Sequence, residues 1–148
     1  FRAKLNARWI MSLLPALMLF VVGKIFFKLN LGSVPLALLV IAVFALAMAA
    51  LSLFVGSLIS KEDTIIGLSV LLANLFAALG GCWWPSEIVP PAVRAAARIS
   101  PAYWAMDALH KLTFFQGGFA EIAAQVGVLA ALAVVLTAVA GKTFRIRE

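Results

Sequence analysis

The chain carries few side chains that could do chemistry. His110 is the one histidine and Cys82 the one cysteine of the sequence, so a histidine-rich metal site, an internal disulfide and a cysteine-based zinc site are excluded. The H-E-x-x-H and G-x-S-x-G patterns of zinc proteases and serine hydrolases do not occur. His110 lies among Leu109, Lys111 and Leu112 and fits an interfacial side chain better than a catalytic base. The sequence therefore predicts neither a catalytic nor a metal site on this chain.

A phosphate-binding loop is also missing from the sequence. Such a loop needs a glycine five residues before a Gly-Lys-Ser/Thr triplet. The triplet Gly141-Lys142-Thr143 has Leu136 at that place. ATP, if the protein uses it, is therefore expected to be hydrolysed on a separate subunit or on a part of the protein outside residues 1–148, with no cofactor on this chain.

Three polar side chains within apolar runs are candidates for a transport pathway or for contacts between helices. Asn74 lies in the middle of an uncharged run, where an unpaired amide is costly, so it should face another helix or a polar path. Glu121 and Gln125 lie one turn apart on one face at the start of another run. Glu121 fits either a helix cap or a transport role.

The composition shows what must position these side chains. Of 148 residues, 65% are hydrophobic and 12% are charged, whereas a soluble domain is roughly half apolar and about a quarter charged. A soluble globular domain and a disordered chain are both excluded. The net charge of +6 fits basic residues that flank membrane spans and contact lipid, so no nucleic-acid partner is expected.

Four apolar runs are long enough to cross a membrane, and they cover about 9–29, 34–59, 65–84 and 119–140. A charged connection that includes Lys61, Glu62 and Asp63 separates the second run from the third. The element 85–118 is interrupted by proline and predicts two short helices, the first opened by Pro91 and the second capped by Ser100. The predicted fold is an all-α integral membrane protein with four transmembrane helices and, before the last span, two short extracellular helices that are interfacial or re-entrant.

The basic residues predict the orientation of the chain. Four spans place both termini on one side, together with seven basic residues, namely Arg2, Lys4, Arg8, Lys61, Lys142, Arg145 and Arg147. The other side holds five, namely Lys24, Lys28, Arg94, Arg98 and Lys111. Because positive residues favour the cytoplasm, both ends are expected there, in a multi-pass protein of the cell membrane.

One segment resembles a known family. Residues 79–85 read L-G-G-C-W-W-P, residues 87–94 read E-I-V-P-P-A-V-R, and residues 99–109 read I-S-P-A-Y-W-A-M-D-A-L. A last apolar run and a basic tail follow. This pattern is similar to the C-terminal half of the type-2 ABC exporter permeases, the membrane subunits of ATP-binding-cassette exporters.

The resemblance implies a six-span permease of which residues 1–148 form the last four spans, which agrees with a start at Phe1 rather than Met. It implies a dimer of permeases with two ATPase subunits that bind ATP. It places Lys61, Glu62 and Asp63 in a coupling loop that contacts the ATPase subunit. The extracellular gate would comprise Gly81, Pro85, Pro90, Pro101, Trp104 and Asp107.

Two other classes of function are weighed against an exporter permease. A membrane-embedded enzyme would need polar groups that face each other, but Asn74, Asp107, His110, Glu121 and Gln125 are expected at different depths. A membrane assembly subunit without a transport path is the other alternative. The cargo cannot be read from the sequence beyond an apolar lining that favours an amphipathic or lipid-like molecule.

Overall fold

The computed structural model describes residues 2–28, 30, 32–59, 61–84 and 88–147, and the side chains up to residue 143. Six helices follow one another within these ranges: α1 (Arg2–Phe26), α2 (Val34–Leu58), α3 (Glu62–Leu79), α4 (Pro91–Ala97), α5 (Pro101–Phe114) and α6 (Phe119–Arg147). Four of them, α1, α2, α3 and α6, are long and apolar enough to cross a membrane. The prediction of an all-α membrane protein with four long and two short helices is confirmed.

The core forms where α2, α5 and α6 meet. Helix α2 packs mainly against α6, and α5 lies across both. Small side chains dominate the contact and let the backbones approach closely, as in other membrane helix pairs. The buried cluster consists of Ala37, Val40 and Ala47 of α2, Ala105, Ala108 and Leu112 of α5, and Ile122, Leu129 and Ala133 of α6.

Helices α1 and α3 lie at the periphery of this core. No residue of either helix is buried, although α1 packs along α2 and α3 contacts α2, α4 and α5. We call the end of the bundle with α4, α5, the end of α3 and the starts of α2 and α6 the α5 end. The opposite end, with the starts of α1 and α3 and the end of α2, is the Lys61 end.

The helices and the predicted apolar runs differ at their ends. Helix α1 begins at Arg2 and α6 continues to Arg147, because the flanking basic turns stay helical beyond the apolar segment. Helix α3 covers Glu62–Leu79 rather than 65–84. It ends before the two tryptophans because Gly81 adopts a φ of +80°, a left-handed conformation that suits glycine and turns the chain out of the helix.

Candidate functional site

A cleft of about 770 Å³ lies at the α5 end, between the end of α3, α4 and one face of α5. Glycines 80 and 81 and Arg94 lie on one side of it. The face of α5 supplies polar groups, among them Tyr103, Asp107 and His110, and apolar ones, among them Met106 and Phe114. The cleft therefore combines charged, hydrogen-bonding and apolar surfaces.

The start of α5 is fixed against α3. Pro101 occupies the first turn of α5, and Ser100 lies at the N-cap position before it, as predicted, without a side-chain capping bond. The Ser100 hydroxyl is directed towards α3, where it donates to the Phe76 carbonyl with an Oγ–O distance of 3.1 Å. Gly80 allows this approach, since a Cβ there would lie 2.6 Å from the Ala102 Cβ.

A second contact joins α5 to the turn after α4. The indole Nε1 of Trp104 donates to the Arg98 carbonyl over 2.8 Å. Pro90 lies at the N-cap position of α4, with Pro91 in its first turn. Trp104 therefore joins α5 to α4, and neither it nor Pro90 nor Pro101 is among the residues that line the cleft.

The middle of α5 is joined to α6 by a polar cluster, which we call the latch: Asp107, Lys111 and Gln125. Nε2 of Gln125 donates to Oδ2 of Asp107 over 2.5 Å. Nζ of Lys111 lies 3.5 Å from the same oxygen and 3.5 Å from the Glu121 carbonyl. Gln125 is 4% exposed and the Asp107 side chain is 34% exposed, so this bond between helices is buried on the α6 side and open to the cleft on the α5 side.

The buried amide of Gln125 is only half satisfied. Its Oε1 has no hydrogen-bond partner among the described residues. The reversed amide is no alternative while Asp107 is ionised, because a carboxylate offers no proton to Oε1. The latch is therefore a costly polar contact that joins α5 to α6.

The expectation that the polar side chains lie at different depths was wrong for two of them. Asp107 and Gln125 face each other, and Glu121 lies within reach of the same lysine through its carbonyl. The Glu121 side chain is exposed and lies over the turn before α6, where a Cβ at Gly117 would overlap its carboxylate.

The remaining predicted site residues are separate from this cluster. Asn74 is exposed in the middle of α3, and its Nδ2 donates to the Val70 carbonyl of its own helix over 2.8 Å. Lys61 precedes α3, while Glu62 and Asp63 form its first turn, all three exposed at the Lys61 end. Pro85 lies outside the described residues.

Removal of the Asp107 carboxylate is expected to destabilise the protein. In Asp107→Ala the buried Gln125 amide loses its partner, which should lower the free energy of unfolding by about 1–3 kcal/mol. Asp107→Asn retains an acceptor and should lose less. Thermal unfolding of the full-length protein in detergent measures the difference. The double variant Asp107→Ala with Gln125→Leu should lose less stability than the sum of the losses in the two single variants. A loss equal to that sum would contradict the latch.

The comparisons with known proteins place the whole chain in one family. No curated protein and no solved structure matches it. The family model of the ABC-2 family transporter proteins matches residues 3–142, which include α2, α3, the cleft, the latch, all of α1 except Arg2, and α6 as far as residue 142. The resemblance read from residues 79–109 is thereby confirmed. The chain belongs to the ABC-2 family of transporter proteins and is a multi-pass membrane transport component.

Proposed function

We propose that this chain forms the substrate pathway of an exporter whose ATP is hydrolysed on a separate subunit. Permeases of its family generally work with an ABC ATPase subunit. The observation that carries the proposal is the position of α3. Its first turn presents exposed charges at the Lys61 end, and its last turn contacts α5 beside the cleft.

Helix α3 is suited to carry motion between the two ends. Its 18 residues span about 27 Å at 1.5 Å per residue. None of its residues is buried, so little packing resists its displacement. At its far end, the bond from Ser100 to Phe76 and the close approach of Gly80 to Ala102 join it to α5. A push on Lys61, Glu62 and Asp63 would therefore move α5 and change the cleft.

The two short helices α4 and α5, which border the cleft, would act as the gate for cargo leaving the membrane. The cleft places apolar Met106 and Phe114 beside polar Tyr103, Asp107 and His110. Such a surface accepts an amphipathic molecule better than a purely polar one. We therefore keep an amphipathic or lipid-like cargo as the proposed substrate class.

A second permease copy would complete the pathway. Asn74 lies exposed in an apolar helix, and an amide that faces hydrocarbon is costly. Its oxygen can be satisfied by a polar group of a second copy or by water in a shared pathway. The unburied faces of α1 and α3 leave room for such a contact.

In the proposed orientation, both ends of the chain and the Lys61 end face the cytoplasm, and the α5 end faces outside. Because four is an even number of spans, both chain ends lie on the same side of the membrane, and the basic residues near both ends favour the cytoplasmic side. The ATPase subunit would then reach the exposed charges of α3.

Cys82 provides a test of this orientation, because it lies just after α3 at the α5 end. Although Cys82 is at the surface, partial burial raises the pKa of its thiol above the usual value. A membrane-impermeant maleimide should therefore label it from outside, slowly at neutral pH and faster as the pH rises towards that pKa and the thiolate fraction increases.

A cysteine at position 64 provides the control for this labelling. In Cys82→Ser with Thr64→Cys, the reactive thiol lies in the first turn of α3 and should be labelled only after the membrane is opened. Identification of the modified peptide by mass spectrometry assigns each signal. Labelling of Cys82 from the cytoplasmic side alone would reverse the proposed orientation.

Co-purification of the full-length permease with an ATPase subunit tests the proposed function itself. A reading frame next to its gene that encodes a Walker A motif identifies the expected partner. Failure of the two proteins to associate would contradict the proposal.

A further inference from the structure

A second cavity, at the Lys61 end, is separate from the cleft and the latch. It has a volume of about 430 Å³ and lies between the start of α1, the last turns of α2 and the start of α3. Its lining residues are Lys4, Ala7, Arg8, Leu53, Gly56 and Ile65.

One wall of this cavity is cationic. Lys4 and Arg8 are four residues apart on α1 and therefore lie on the same face of the helix. Nη1 of Arg8 donates to the Ser52 hydroxyl of α2, which fixes the guanidinium beside the cavity. A guanidinium has five N–H donors, so the bond to Ser52 leaves others for an anion.

The other walls are apolar and leave space. Leu53 of α2 and Ile65 of α3 line the cavity opposite the two cations. A Cβ added at Gly56 would meet no atom within 4 Å, so the cavity is open at this position. A ligand that fits has an anionic group at one side and an apolar part at the other.

The cavity lies at the level of the lipid head groups. Gly56 is two residues from the end of α2, and Lys4 is in the first turn of α1. The 25 residues of α2 span about 37 Å, more than the roughly 30 Å of the hydrocarbon core. The ends of α2 therefore reach the head-group region, and the cavity beside its last turns lies there too.

We propose that this cavity binds the head group of an anionic phospholipid, with the phosphate on Lys4 and Arg8 and the first acyl carbons against Ile65. Basic pockets between spans bind such head groups. A zwitterionic choline lipid fits less well, because two cations repel its quaternary ammonium group. The site does not depend on coupling to an ATPase subunit.

The nearby carboxylates limit where the anion lies. Glu62 and Asp63 occupy the first turn of α3 and are exposed, and neither is among the residues that line the cavity. Their repulsion disfavours a phosphate next to α3 and favours one next to α1.

The test is native mass spectrometry of the full-length permease in detergent, titrated with phosphatidylglycerol or phosphatidylcholine. The wild-type protein should retain one phosphatidylglycerol more tightly than any phosphatidylcholine. Lys4→Gln with Arg8→Gln should weaken this binding by about thirtyfold, as expected for two basic residues at a membrane surface. The matched control is Lys24→Gln with Lys28→Gln, which removes two charges at the same sequence spacing, one in the last turn of α1 and one just after it, and should change nothing.

Two further variants separate the effect of the positive charges on lipid binding from the effect of the cavity's open space. Lys4→Arg with Arg8→Lys keeps both charges and should retain the lipid. Gly56→Leu keeps every charge but fills the cavity, and should weaken lipid binding.

Four results would overturn the proposal. They are equal affinity for both lipids, equal loss in the Lys24 and Lys28 control, displacement of the lipid by millimolar inorganic phosphate, and a Lys4 and Arg8 variant that loses the ATPase subunit but keeps the lipid. The third would indicate a site for a free anion, and the fourth a protein contact.

Discussion

Gly32→Ala is expected to lower the free energy of unfolding by about 2–4 kcal/mol, because the added methyl group fits neither the backbone conformation at this position nor the space beside α5. Gly32 has a φ of +61°, which costs other residues roughly 1–2 kcal/mol. The added Cβ would also overlap the backbone carbonyl of Leu112 at the end of α5. A backbone atom cannot turn aside as a side chain can, so α5 itself must move away from the connection between α1 and α2.

The same substitution at Gly67 provides a matched control. A Cβ at Gly67 meets no atom within 4 Å, and alanine is favoured over glycine inside a helix by roughly 0.5–1 kcal/mol. Gly67→Ala should therefore leave the protein as stable or slightly more stable. Thermal unfolding of the full-length variants in detergent compares them. If the two substitutions had equal effects, α5 would not be seated against Gly32 as described.

The second large effect is expected at the proposed contact with the ATPase subunit. Reversal of three charges, in Lys61→Glu, Glu62→Lys and Asp63→Lys, should weaken association with that subunit at least about a hundredfold, because like charges that meet across an interface cost several kcal/mol. The three side chains are exposed, so the helical core should stay folded. A binding titration between the purified subunits measures the loss.

The control for this experiment lies at the other end of the bundle. Lys24→Glu with Lys28→Glu reverses exposed charges near the end of α1 and should leave ATPase binding intact. Lysines in place of two acids at the start of α3 also cost about 0.3–1 kcal/mol each through the helix dipole, so unfolding is measured alongside. Unchanged binding by a folded charge-reversal variant would refute the role proposed for these residues.

The sequence predicts the four long helices and the two short ones because the signals are local. Apolar runs of about 20 residues and proline at the start of α4 and α5 each act within a few positions. Helix ends are less well determined, since a basic first turn can be helical without being apolar, as in α1.

The latch was missed, although a signal for it exists in the spacing. Lys111 and Glu121 lie five residues before and after Gln116, and Asp107 and Gln125 lie nine residues before and after it. Two helices joined by a short turn bring such symmetric positions together, which is how α5 meets α6. If the segment around Gln116 is treated as the turn of a helical hairpin, Asp107 is predicted to lie opposite Gln125 and Lys111 opposite Glu121.

Contacts between residues far apart in the chain have no signal in the local sequence. The contact of Gly32 with Leu112 joins residues 80 positions apart, and the bond from Ser100 to Phe76 joins the start of α5 to α3. The cavity beside Lys4 and Arg8 needs three helices to meet. Such features depend on how helices pack, which hydropathy and turn residues do not specify.

The most direct test of the central claim is the composition of the complex that contains the full-length permease in native membranes. Affinity purification through a tag on the permease, followed by native mass spectrometry, gives its partners and stoichiometry. We predict two permease copies with two copies of a subunit that carries a Walker A motif and hydrolyses ATP. A stable permease without any ATPase subunit, or an assembly built from other proteins alone, would contradict the account.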